Sequence, residues 1–196
     1  TADSRLGTVL FGDHVTALPE ESFQNSPVDY VLTGGDYDFL LLNLCNYLDP
    51  RPETRDPRPI SLEPGIFYRD NGQIRNTGKF QLNHDLDSAP FIDRELTGWR
   101  NYAYENGNYR RVPGTYIMSG RDCWWGKCSF CSWSTLYNKF RSRSVHNVLD
   151  EMGELIGKYG VKEIMDDSGS FPAGAWLKDF CEGMIERGYN RKVNFD

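Results

Sequence analysis

Apolar residues in the first fifty positions come in short runs separated by polar turns. Thr-Val-Leu-Phe at 8–11 has the length and composition of a strand, and Gly12-Asp13-His14 reads as the turn that follows it. Pro19-Glu20-Glu21 supplies the proline and acids of a helix's first turn, and a second strand-like run occupies 28–32. Gly34-Gly35-Asp36 then turns the chain into a helix predicted over 37–47, carrying Phe39, Leu40, Leu42, Leu44 and Cys45 and stopping before Asp49-Pro50. The order β-α-β-α is that of a parallel sheet.

From 50 to 59 the composition shifts to Pro, Arg, Asp and Glu, which cannot pack a core and reads as a linker. A hairpin follows, with Ile66-Phe67-Tyr68 and Gln73-Ile74-Arg75 flanking Asp70-Asn71-Gly72, whose Asn-Gly pair suits a tight turn. The aromatic stretch 81–112 has no defensible period and reads as a connecting arm. A strand resumes at 115–119. Val145, Val148, Leu149, Met152, Leu155, Ile156 and Tyr159 have helical spacing, with Ser144 placed to cap that helix and Gly160 to end it. A strand at 161–165, a helix over 173–187 and a strand at 192–195 complete a β-loop-α-β-α-β half, the opening of a barrel or of an open parallel sheet. In either fold the loops leaving the carboxyl ends of the strands share one face, so the loops after 119 and after 165 are expected together there.

With 196 residues, 39% apolar and 14% aromatic, the chain can bury a sizeable core. No run approaches the length of a membrane span and no export signal opens the sequence, so a cytoplasmic address is expected, with no membrane partner. A net charge of -6 without a Lys/Arg cluster argues against nucleic acid and for a small-molecule substrate. Both ends read as cut: a strand begins almost at Thr1, and the last strand runs into Asp196.

Five cysteines, an odd number with three clustered, suit a reducing compartment and metal ligation better than a disulfide framework. Cys45 and Cys181 fall on apolar helical faces and are expected as buried small hydrophobes. Cys123-Trp-Trp-Gly-Lys-Cys128-Ser-Phe-Cys131 is different: a C-x4-C-x2-C run crowds three thiols into nine residues, enough to grip one metal centre. A 4Fe-4S cluster wants four outside ligands, and this loop offers three, leaving one iron open to a chelating small molecule. The competing reading is structural zinc with His146, fifteen residues past Cys131, as fourth ligand. Arg141 and Arg143 either meet a carboxylate or are solvated surface residues.

Three cysteines at the end of a strand, with the aromatic Phe130 between the last two, resemble the cluster motif of radical S-adenosylmethionine (radical SAM) enzymes, whose usual spacing is one residue shorter in the first gap. The resemblance implies that Cys123, Cys128 and Cys131 hold a 4Fe-4S cluster, that S-adenosylmethionine chelates the open iron through its amino and carboxylate groups, and that Phe130 packs near the adenine. Asp166-Asp167-Ser168-Gly169 stands where the family has a segment that hydrogen-bonds the amino group of S-adenosylmethionine, so Asp167 or Ser168 is a candidate cofactor contact. The same residues equally serve to turn the strand into the next helix.

The N-terminal run from Phe11 to Glu20, followed by Val28-Asp29-Tyr30-Val31 and Gly34-Gly35-Asp36, is similar to the second half of the cobalamin-binding domain that precedes the barrel in B12-type radical enzymes. In that family glycines at the place of Gly12 let the nucleotide tail of cobalamin approach the backbone; here Asp13 replaces the second glycine, the cobalt-facing histidine motif would lie before Thr1, and His14 is a loop residue. The fold so implied is α/β: residues 1–49 the C-terminal part of a Rossmann-like cobalamin-binding domain, 50–112 a linker with the hairpin and arm, and 113–196 the first strands and helices of a partial radical SAM barrel. The activity implied is reductive cleavage of S-adenosylmethionine, fed by an electron donor such as flavodoxin or ferredoxin. The radical so made would drive methyl transfer or rearrangement on a small substrate, with cobalamin in the full-length protein. Two other readings stay open: a non-catalytic zinc or iron-sulfur module, and an RNA-modifying enzyme like the methylthiotransferases.

Overall fold

The computed structural model describes residues 7–49, 61–105, 107–137 and 139–196. The Pro- and Arg-rich stretch read as a linker, 50–59, lies outside the described residues. In chain order the elements are β1 (Val9–Phe11), α1 (Asp13–Ala17), α2 (Pro19–Asn25), β2 (Tyr30–Leu32), α3 (Tyr37–Leu48), β3 (Ile66–Asp70), β4 (Gln73–Asn76), α4 (Arg100–Ala103), β5 (Gly114–Ile117), β6 (Gly120–Arg121), α5 (Ser132–Leu136), β7 (Arg141–Ser142), α6 (Val145–Gly157), β8 (Glu163–Asp166), α7 (Ala175–Glu186) and β9 (Asn194–Phe195). They form two compact units: residues 1–84 with 126–138, and 85–125 with 139–196.

The first unit is a four-stranded sheet of order β1-β2-β3-β4, parallel between β1 and β2 and antiparallel thereafter. Successive residues of a strand face opposite sides, and β2 uses this to seed two cores. Val31 packs with Val15 of α1 and Phe23 of α2 on one side, and Leu32 packs with Leu40 and Leu44 of α3 on the other. The hairpin turns at Asn71 and Gly72, both at positive φ, as the Asn-Gly pair requires. Expected inside the connecting stretch, the hairpin instead pairs with β2, Tyr30 opposite Tyr68, and so widens the first sheet. Gly12-Asp13-His14 is no plain turn either: Gly12 caps the short helix α1.

The second unit holds an all-parallel sheet of order β5-β8-β9. Helix α6 lays Val148, Leu149, Met152 and Leu155 on this sheet, and α7 adds Phe180 and Met184, closing a core around Ile117 and Ile164. The start of α6 is fixed by the Ser144 side chain, which accepts from the Asn147 backbone N–H, and Gly160 follows the helix at positive φ. A short antiparallel ladder, β6 with β7, straps the segment leaving β5 to the segment entering α6.

Cys45 and Cys181 are exposed, not buried. The buried positions of α3 are Leu40 and Leu44, and those of α7 are Phe180 and Met184, four residues apart in each case. One residue further along a helix is about 100° around its axis, which carries each cysteine off the buried stripe. No helix among the described residues is long and apolar enough to cross a membrane.

Candidate functional site

The carboxyl end of β8 meets the segment that leaves β5 for the first cysteine. Asp166, the last residue of β8, accepts the Ser119 backbone N–H on Oδ2 at 3.0 Å and the Ser168 N–H on Oδ1 at 2.8 Å. The Ser168 hydroxyl oxygen accepts the Gly120 N–H at 2.8 Å and lies 3.2 Å from the Ser119 hydroxyl. Two residues on, the Ser170 hydroxyl accepts the Trp124 N–H at 3.2 Å. The opposite side of the segment is held by β7, and a Cβ on Gly120 would sit 2.9 Å from the Arg141 carbonyl oxygen, so only glycine fits there. Ser119, Gly120 and Asp122 are buried, and Cys123 emerges half-buried from this clamp.

Past Trp125 the run of cysteines continues into the first unit. Cys128 and Cys131 are half-buried, and their carbonyls both accept from the Ser134 hydroxyl, at 3.0 and 2.8 Å, which folds the loop onto the start of α5. Phe130 is 91% exposed. At the end of α5, Tyr137 is buried and donates its hydroxyl proton to Asp13 Oδ1, with the Tyr37 hydroxyl 2.8 Å away. Burial first, then the hydrogen bonds to Asp13 and Tyr37, push the Tyr137 pKa well above the usual phenol value. Asp13, which stands where the resemblance has a second glycine, is thus the acceptor that ties the post-cysteine helix to the start of α1. Gly12 itself has φ of +130°, a conformation for glycine, with nothing within 4 Å of where a Cβ would stand. Its backbone is open to close approach.

All five cysteines are thiols rather than disulfides. Among the described residues no three His, Cys, Asp or Glu side chains gather into a group able to hold a metal ion. The donor set nevertheless suits an iron-sulfur cluster: three half-buried thiols within nine residues, on a stretch built of bends and turns. His146, the candidate fourth zinc ligand, is an exposed residue of α6 with Nε2 3.1 Å from Asp150.

Asp167 is exposed on the same end of the sheet and lines a cavity of about 480 Å³ beside β5, together with Arg94, Trp99, Tyr116 and Met118. Arg141 and Arg143 are not solvated surface residues. Arg141 reaches Asp122 at 3.5 Å, and Arg143 reaches Glu151 at 2.6 Å. Glu151 is buried and shared, since Arg94 from the arm meets its other oxygen at 3.0 Å. Burial pulls the Arg94 pKa down, against the upward pull of Glu151. The roles of Asp166, Tyr137, Asp13 and Glu151 escaped the sequence reading, since each depends on a partner at least 47 positions away. The one local signal was a polar Asp-Asp-Ser-Gly-Ser run closing a strand.

No family model matches the chain. Its sequence is 32% identical over 165 residues to an uncharacterised methyltransferase of Pyrococcus horikoshii, covering 82% of this chain and 33% of that protein. It is 30% identical over 197 residues to the ribosomal protein uS12 methylthiotransferase of Koribacter versatilis, covering 91% of this chain and 37% of that one. The chain therefore spans about a third of the length of these curated relatives. Among solved structures, the cobalamin-dependent S-adenosylmethionine radical enzyme OxsB, with aqua-cobalamin and S-adenosylmethionine bound, superposes with a TM-score of 0.69 at 18% identity, over 96% of this chain and 25% of its own. The radical S-adenosylmethionine methyltransferase TsrM of Kitasatospora setae, with cobalamin and a [4Fe-4S] cluster bound, superposes with a TM-score of 0.61 at 17% identity, over 95% and 36%. The mixed α/β fold of this chain, which carries a three-cysteine loop entered from the end of a strand, is thus the fold seen in radical SAM enzymes. That the same fold occurs in cobalamin-dependent enzymes is what the first-unit motifs lead one to expect.

Proposed function

We propose that the protein of which this chain is part is a radical SAM enzyme that transfers a methyl group to a small-molecule substrate, with cobalamin as a second cofactor. The observation that carries this reading is the three-thiol run fastened at the carboxyl end of β5, in a chain with the fold of cobalamin-dependent radical enzymes. Cys123, Cys128 and Cys131 would hold the 4Fe-4S cluster through their thiolates. When bound, the cluster supplies the electron that splits S-adenosylmethionine. The exposed carboxylate of Asp167 suits the cationic ammonium of S-adenosylmethionine. Phe130, free of packing, offers a face on which the adenine can stack. The open backbone at Gly12 suits the cobalamin tail. The reading places the enzyme in the cytoplasm, where a flavodoxin or ferredoxin supplies electrons.

The test is anaerobic reconstitution of the protein followed by chemical reduction in the presence of S-adenosylmethionine and a panel of small acceptors. Reductive cleavage or methyl transfer, lost in Cys128→Ala, supports the reading; intact S-adenosylmethionine with a fully loaded cluster overturns it. A second reading, transfer of a methylthio group, draws on the 30% identity to the uS12 methylthiotransferase. The mass of the modified product separates the two, since methylthio addition brings sulfur with the methyl carbon.

A further inference from the structure

We propose that Asp166 and Ser168 are positioning residues for Cys123, holding the backbone of Ser119 and Gly120 so that the first thiol is presented at the end of β5. This rests on the reading of Cys123 as a metal ligand. The polar loop after β8 then acts first on the protein's own backbone. Both oxygens of the Asp166 carboxylate are occupied by backbone N–H groups, one from Ser119 and one from Ser168. The second of these bonds aims the Ser168 hydroxyl, which takes the Gly120 N–H. Ser119 and Gly120 are buried, so losing an acceptor leaves their N–H groups poorly placed to turn to water instead.

The clamp acts where rigidity decides geometry. Between Gly120 and Cys123 lie two residues, and one of them, Asp122, is held at φ of +69°, a conformation that asparagine and aspartate tolerate and most residues resist. Its carboxylate is tied to Arg141 across the β6–β7 ladder. The direction in which Cys123 leaves the sheet is therefore set by three fastenings: the β7 ladder, the bonds from Asp166 and Ser168, and the ion pair of Arg141 with Asp122. A fourth, from Ser170 to the Trp124 N–H, holds the residue just past the thiol. Asp167, between the two positioning residues, keeps its side chain exposed and free for a ligand. The three residues Asp166, Asp167 and Ser168 thereby divide their work between orienting a cysteine and facing the cofactor.

The readout is the rate at which Cys123 of the metal-free, reduced protein is alkylated by iodoacetamide, followed by mass spectrometry, with the exposed Cys181 as internal reference. In Ser168→Ala the Cys123 rate should rise roughly fivefold relative to Cys181, the change expected for one lost hydrogen bond. Asp166→Asn, which turns an acceptor oxygen into a donor facing backbone N–H groups, should raise it further. Ser168→Thr keeps the hydroxyl and should return the wild-type rate. The spectroscopic signature of the reconstituted, reduced cluster should shift in Ser168→Ala and return in Ser168→Thr. Unchanged Cys123 reactivity in Ser168→Ala, or an equal rise at Cys181 that marks general loosening, overturns the assignment. Because alkylation is measured without metal, it stands or falls separately from iron loading, which tests the ligand role of the cysteines.

Discussion

Tyr137 shows how one side chain can fasten the segment beyond the third cysteine. Its ring is buried beside Phe80 and its hydroxyl is bonded to Asp13, 124 positions earlier. Its pKa in the folded state is raised above the ordinary value of 10.0. The stabilising effect of this group is therefore fully present below pH 10, where folded and unfolded chains both hold the proton, and falls as pH rises further, because only the unfolded chain releases it. We expect alkaline unfolding above pH 10 to be measurably shallower in Tyr137→Phe than in the parent protein, as urea midpoints across that range would record; identical slopes would mean that the hydroxyl does not carry the effect. Lone residues were also where sequence reading erred. Cys45 and Cys181 share apolar helices with true core positions, but helical neighbours lie a large rotation apart, and only contact with a partner face settles which stripe is buried.

At the scale of elements, legibility followed locality. Helix α6 could be read because its cap, its apolar spacing and its terminal glycine are all written within the element, and the hairpin because Asn71-Gly72 dictates its own turn. The two-residue strands β6 and β7 could not be read, since nothing so short carries a period, yet they hold the approach to Cys123. Nor could the pairing of the hairpin with β2, a contact between residues nearly forty positions apart. The arm before β5 is joined to α6 by a buried carboxylate that no local pattern announces. Glu151 is 4% exposed and faces guanidinium groups of Arg94 and Arg143. Glu151→Ala strands those cations beside the core and should cost about 3–5 kcal/mol, read as a lowered urea midpoint. A loss of under about 1 kcal/mol would place the pair among exposed, screened ion pairs instead.

For the whole molecule, the α/β order of elements was visible because strand-like runs alternate with segments of helical spacing, and the candidate site stood out because three cysteines in nine residues have few other uses. What stayed hidden was the hydrogen bonding that delivers the first of them: Ser168 looked like a cofactor contact or a plain turn residue and Asp166 like part of the turn, and their bonds to Ser119 and Gly120 exist only once β5 and β8 lie side by side. The central claim is that Cys123, Cys128 and Cys131 bind one iron-sulfur cluster. It is tested most directly by counting iron and acid-labile sulfide after anaerobic reconstitution of the parent protein and of the Cys128→Ala and Cys181→Ala variants. The account predicts roughly four of each per chain in the parent and in Cys181→Ala, and near none in Cys128→Ala; full iron in Cys128→Ala, or zinc in place of iron in the parent, would contradict it.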